Sequence, residues 1–202
     1  MRVFITGGSG CVGHYLVREF LADPSNELVL LLRTPGKLTL PDNAGSRVTV
    51  LQGDLTDGAR LLHDQGRFDL AILAATAWGG ARTFDVTVDA NLALADQLIG
   101  DGCERIIYFA TASVMSRDLE LIEEARDHGT AYIRAKHKLV STIETRANAA
   151  RIIGFFPTVV FGGGEAPVNA PRSHLVRMLF ENKRWLPLLR RLSANGRLHL
   201  IH

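Results

Sequence analysis

The chain has 202 residues, enough for one domain with a sizeable core and a small appendage. With 47% hydrophobic residues, 22% charged residues and a net charge of +2, it has an ordinary soluble composition and no basic surplus for a nucleic-acid surface. Its two cysteines, Cys11 and Cys103, match neither a disulfide framework nor a zinc pattern, so no metal site is expected. No apolar run is long enough to cross a bilayer and no signal peptide precedes the first strand, so a cytoplasmic location is expected.

Arg2 to Thr6 reads as a buried strand, because Val3, Phe4 and Ile5 form an apolar run ended by glycines. Gly7, Gly10 and Gly13 follow with the spacing G-x-x-G-x-x-G, and Val12, Leu16, Val17, Phe20 and Leu21 then recur at helical intervals. Strand, glycine turn and helix together form the context of a dinucleotide site. Gly7 turns the chain off the strand, Gly10 lets backbone N–H groups approach a pyrophosphate, and Gly13 lets the helix pack close to the sheet. The helix N-terminus favours negative charge. Cys11 and Val12 lie in the same turn, Cys11 as a small neutral side chain, with a reactive thiol as the alternative. A tight turn without a ligand leaves the same spacing.

Leu28 to Leu32 is a second strand, apolar on both faces as in a parallel sheet. At its tip an NAD-type site carries an Asp or Glu for the ribose 2′-hydroxyl; here Leu32 and Arg33 occupy the place. The charge and planar fork of Arg33 suit a 2′-phosphate, which favours NADP, with NAD as the alternative. An exposed arginine at a strand end is the plainer account.

Pro35 to Ser46 is a polar loop, and Val48 to Leu51 a third strand followed by Gly53, Asp54 and Leu55. A short helix covers Asp57 to Asp64. Phe68 to Leu73 is a fourth strand running into Ala74 and Ala75, small residues that admit a cofactor or close packing. After the loop Trp78 to Arg82 a long helix carries Val88, Leu92, Ala95, Leu98 and Ile99 on one stripe. Asn91 at its edge is a helix-packing link or an active-site residue, since a buried amide must find partners. Ile106 to Phe109 is a fifth strand, ending in Thr111 and Ser113, whose hydroxyls lie at the crevice where such sheets bind ligands.

A charged, partly helical segment spans Glu120 to Asp127, and the next helix starts near Thr130. Tyr132 and Lys136 are four apart there and share one face. Arg151 to Phe156 is a sixth strand stopped by Pro157, and Val159 to Gly164 a glycine-ended loop. Leu175, Met178 and Leu179 mark a helix. The basic, Leu-rich run from Lys183 to Arg191 reads as a solvated segment over a substrate pocket rather than a membrane or partner surface. Arg197 to His202 reads as a short strand. Alternating strands and helices of this kind make an α/β, Rossmann-type doubly wound parallel sheet.

Five motifs stand in order: T-G-G-S-G-C-V-G at Thr6 to Gly13, G-D-L at Gly53 to Leu55, the Thr111 strand end, Y-x-x-x-K at Tyr132 to Lys136, and P-T-V-V-F-G at Pro157 to Gly162. Across nearly the whole chain this resembles the extended short-chain dehydrogenases/reductases, the NAD-dependent epimerase/dehydratase family. The resemblance implies that Tyr132 is the general acid/base, that Lys136 binds the nicotinamide ribose and lowers the tyrosine pKa, and that Thr111 hydrogen-bonds the reacting oxygen. Ser113 is the rival hydroxyl. It implies that Asn91 helps hold the catalytic network, that Asp54 and Leu55 bind adenine, that Ala74 and Ala75 line the cofactor, and that Phe156 and Pro157 lie near the nicotinamide.

The chemistry of the residues agrees, because a free phenol near pKa ~10 needs a neighbouring ammonium to exchange protons at neutral pH. Ala112 stands where the family's dehydratases carry an acid beside the hydroxyl, which disfavours dehydration. The expectation is an NADP-preferring reductase or epimerase acting on a small-molecule substrate, nucleotide sugars among the candidates, as a homodimer through the helices of Val86 to Ile99 and of Tyr132. The rival is a non-catalytic NADP-binding regulator or truncated scaffold. Residues 1–166 are read as the dinucleotide-binding domain and 167–202 as a partial substrate-binding segment, since the family continues for roughly a hundred residues more, about another domain's length.

Overall fold

The computed structural model describes residues 1–146, 151–164, 169–181 and 200–201. Six strands form one sheet: β1 (Arg2–Thr6), β2 (Glu27–Leu32), β3 (Val48–Gln52), β4 (Leu70–Leu73), β5 (Arg105–Phe109) and β6 (Arg151–Phe155). They lie in the order β3-β2-β1-β4-β5-β6, with every neighbouring pair parallel. This is the doubly wound order, and its reversal point lies between β1 and β4. Ligands bind such sheets outside the carboxyl ends of the strands at that point.

The helices are α1 (Cys11–Ala22), α2 (Gly58–Leu62), α3 (Ala90–Gly100), α4 (Glu123–Asp127), α5 (Ala131–Ile143) and α6 (His174–Glu181). Alternation along β1 divides the core in two. Val3 and Ile5 pack with Leu28, Leu30 and Leu32 against Val17 and Leu21 of α1. Phe4, Val29 and Leu31 point the other way, into a cluster with Leu94 and Leu98 of α3 and Leu139 and Val140 of α5. Both faces are covered, which is why these strands read as continuous apolar runs. Each wholly buried side chain of this size contributes roughly 1.5–3 kcal/mol.

The sequence placed all six strands, with ends differing by one or two residues. The long helix has more detail than its periodicity showed. It opens with a π-turn at Asp85–Asp89 before α3 begins. Thr130 caps α5 with its Oγ1, which accepts from the Ile133 N–H at 3.3 Å. The expected loop at Val159 to Gly164 contains a short strand, β7 (Val159–Val160), which pairs in parallel with β8 (Leu200–Ile201). The basic run from Lys183 to Arg191, and residues 197–199 and 202 of the expected last strand, lie outside the described residues. No helix among the described residues is long and apolar enough to cross a membrane.

Candidate functional site

The carboxyl ends of β1 and β4 come within backbone contact. Gly7 has φ +75, and a Cβ on it would sit 2.8 Å from the Ala75 nitrogen. Only glycine allows that approach. The Ala75 N–H donates to Thr6 Oγ1 at 3.2 Å, which holds the two strand ends together. A Cβ on Gly13 would lie 2.1 Å from the Gly7 carbonyl oxygen, so α1 packs directly on the turn.

Gly10 caps α1 without a side chain, so no side-chain cap takes up the first-turn N–H groups. Cys11 and Val12 begin that helix, and burial pushes the Cys11 thiol up, so it is the neutral group expected. His14 carries no signal in the sequence. It is buried, and its Nδ1 donates to the Gly10 carbonyl at 2.9 Å, bracing the turn from within α1.

Arg33 lies exposed just beyond β2. Beyond β3, the Asp54 carboxylate accepts from the Thr56 N–H at 3.2 Å and from the Arg82 fork at 2.9 and 3.2 Å. Those bonds, Arg82 first, hold its carboxyl down at about 2. Leu55 beside it points into the core. Spacing alone does not mark Arg82 as a partner of Asp54, because the contact depends on how the loop after β4 folds back.

Asn91 is buried with 1% of its surface exposed. Its Nδ2 donates to the carbonyls of Val86 at 3.0 Å and Thr87 at 3.1 Å, within the π-turn, and to that of Ala75 at 3.4 Å. Its Oδ1 is buried with no hydrogen-bond partner among the described residues. Asn91 therefore ties the π-turn to the end of β4 and keeps one acceptor unused.

Thr111 is nearly buried at the exit of β5; its Oγ1 donates to Ser113 Oγ at 3.3 Å, so the two rival hydroxyls are linked. Lys136 projects from α5 into the core, 2% exposed, and donates to the Phe109 carbonyl at 2.5 Å. Its Nζ stands 5.9 Å from the centre of the Tyr132 ring. Phe156 packs edge-on to Tyr108 at 6.2 Å, and the Pro157 carbonyl accepts from the Ala112 N–H at 2.9 Å, joining the β6 exit to the Thr111 turn.

The electrostatics differ from expectation. Burial pushes the Tyr132 phenol up to about 12 and pulls the Lys136 ammonium down to about 7. Desolvation outweighs the pull of the ammonium on the phenol, because both groups lie largely out of water and Lys136 directs its hydrogen bond to Phe109. Trp78 stacks on Tyr132 at 4.4 Å and 11°, and on His174 at 4.8 Å and 13°. This stack is not legible in the sequence, since Trp78 reaches Tyr132, and His174 reaches Trp78, from distant segments.

The six-stranded fold is shared with solved structures. The Bordetella bronchiseptica enzyme WbmG in complex with NAD is similar with a TM-score of 0.67 and 17% identity, over 99% of this chain and 71% of that one. The UDP-glucuronic acid 4-epimerase from Bacillus cereus in complex with NAD is similar with a TM-score of 0.62 and 20% identity, over 82% of this chain and 59% of that one. The Helicobacter pylori ADP-L-glycero-D-manno-heptose-6-epimerase has a TM-score of 0.68 and 20% identity, over 89% of this chain and 64% of that one. No curated protein matches the sequence. Residues 3–190 match a family profile, and the strand order and glycine turn agree with it: the chain belongs to the NAD dependent epimerase/dehydratase family.

Proposed function

We propose that the protein is a nicotinamide-dependent oxidoreductase or epimerase acting at a hydroxyl-bearing carbon of a sugar-like substrate, in the class of nucleotide sugars. The observation that carries this reading is Tyr132 beside a wholly buried lysine that is itself tied to the exit of β5. A charged lysine is rarely buried without a functional reason. The similar WbmG and Bacillus cereus structures both contain NAD, and the latter is a UDP-glucuronic acid epimerase, which supports the same class here.

The residues fit a nicotinamide dinucleotide. The open N-terminus of α1 and the side-chain-free turn of Gly7, Gly10 and Gly13 suit a pyrophosphate, with Cys11 and Val12 presenting backbone N–H groups. Asp54 and Leu55 would take the adenine end, Ala74 and Ala75 the middle, and Phe156, Pro157 and Lys136 the nicotinamide end. Arg33, exposed at the tip of β2, favours NADP over NAD. When bound, the dinucleotide supplies the hydride acceptor or donor.

The chain's own groups manage the proton. Tyr132 Oη gives a proton to a substrate carbonyl oxygen, or takes one from a hydroxyl, while Thr111 hydrogen-bonds the same oxygen. Tyr132 rests as the neutral phenol, the form that donates. Burial pulls the Lys136 ammonium down toward neutral pH, and the group stabilises the phenolate whenever it carries charge. Asn91 holds the β4 exit in place around them. The segment from residue 167 onward would contribute the substrate-facing side; within it, His174 stacks on Trp78, which in turn stacks on Tyr132.

The test is Tyr132→Phe. Turnover on a panel of ketones and nucleotide sugars falls by about a hundredfold to ten-thousandfold while dinucleotide binding persists. Undiminished turnover in that variant refutes the assignment. Tight dinucleotide binding with no turnover by the wild type on the whole panel favours a non-catalytic binder.

A further inference from the structure

The loop after β4 is fastened at its base and reaches both the exit of β3 and the helix α5, which is bonded to the exit of β5. Thr87 Oγ1 accepts from the Ala77 N–H at 3.2 Å and lies 3.1 Å from Thr76 Oγ1; Ala75 is held by Thr6 and Asn91. Thr6, Thr87 and Asn91 are all buried, so this base is rigid. The chain then crosses Gly79 and Gly80, with φ +94 and +88, where an added Cβ would meet nothing within 4 Å. It is fastened again at Thr83, 1% exposed, whose N–H and Oγ1 both donate to the Gly80 carbonyl.

Between these anchors two long side chains reach in opposite directions. Trp78 lies flat on Tyr132, on the helix whose Lys136 is bonded to the exit of β5. Arg82 grips Asp54 just beyond β3. In the sheet order those exits are four strand spacings apart, about 19 Å, and the exits of β2, β1 and β4 lie between them. The glycine turn is therefore bracketed by the two contacts.

We infer that residues 78–82 form a strap across the dinucleotide groove that slows release of bound cofactor, clasped by Trp78 on Tyr132 and by Arg82 on Asp54. The inference rests on the dinucleotide reading above. Both clasps suit a strap that opens. The Arg82–Asp54 pair has side chains 54% and 24% exposed, so it is screened and reversible. Trp78 is 59% exposed despite its two stacked neighbours, so it leaves Tyr132 without opening the core.

Wild type is first titrated with NADH and NADPH. Release of the bound nucleotide is then followed by stopped-flow displacement in wild type, Trp78→Ala, Arg82→Met and the double variant, with thermal melts to verify folding. Each single change speeds release roughly threefold to tenfold, the range of one aromatic stack or one exposed ion pair. The double variant matches the faster single within about twofold, because opening either clasp frees the same strap. If Trp78→Ala does not fold, Trp78→His takes its place. Unchanged release, or a double effect equal to the product of the singles, overturns the strap and leaves the dinucleotide reading intact. Failure of the wild type to bind either nucleotide overturns that reading and the strap with it.

Discussion

Lys136→Met removes a buried cation and should make the protein more stable at neutral pH while abolishing its chemistry. The ammonium titrates at about 7 in the fold against an ordinary 10.5, because burial disfavours its charged form. The unfolded chain therefore binds more protons than the native one between those values, and native stability falls as pH drops through that window. At about pH 7 the accumulated cost is about 4 kcal/mol, at about 1.4 kcal/mol per pH unit.

Methionine removes that cost but leaves the Phe109 carbonyl without its donor, a loss of about 2 kcal/mol. The variant should gain about 2 kcal/mol at neutral pH, or roughly 4–8 °C in Tm for a chain of this size. At about pH 10 the wild-type cost has shrunk to roughly 1 kcal/mol, so the variant should become the less stable of the two. Urea denaturation of both proteins at the two pH values reads the difference directly. A variant less stable than wild type at neutral pH, with a pH-independent gap, would refute the argument that desolvation governs Lys136.

Two further changes probe the cofactor end. Arg33→Ala should weaken NADPH binding by roughly tenfold to a hundredfold, the worth of a charge-assisted hydrogen bond, and leave NADH unchanged in fluorescence titration. Equal affinity of the wild type for both nucleotides would remove the NADP preference. Gly13→Ala drives a methyl to 2.1 Å from the Gly7 carbonyl oxygen, and α1 must move off the turn. It should cost about 1–3 kcal/mol in urea denaturation and weaken both nucleotides together; a neutral result would mean that the helix does not rest on the turn.

Local chemistry was legible before the structure. β1 announces itself by an apolar run that stops at Gly7, and Tyr132 and Lys136 share a helix face by spacing alone. The doubly wound order followed from alternation of strands and helices. What depends on distant packing was not legible. Trp78 meets Tyr132 on one face and His174 on the other, three residues from distant segments, and Arg82 finds Asp54 only after its loop folds back. The sign of the Tyr132 shift belongs to the same class. Spacing placed an ammonium near the phenol, but how much water each loses is a property of the assembled core. The π-turn before Asn91 is likewise invisible to a helical periodicity count.

The central position of β1 also sets an order of assembly. Its partner β2 follows closely, Arg2 pairing with Glu27, but its other edge waits for Val3 to meet Leu70. During synthesis β1 therefore keeps one bare edge until β4 has emerged, and β5 and β6 then add outward one at a time. The exit of β4, with its strap, begins to form at the same moment as the closure of the sheet. A slow or misregistered β1–β4 pairing would thus delay the cofactor groove and prolong exposure of that edge to other chains.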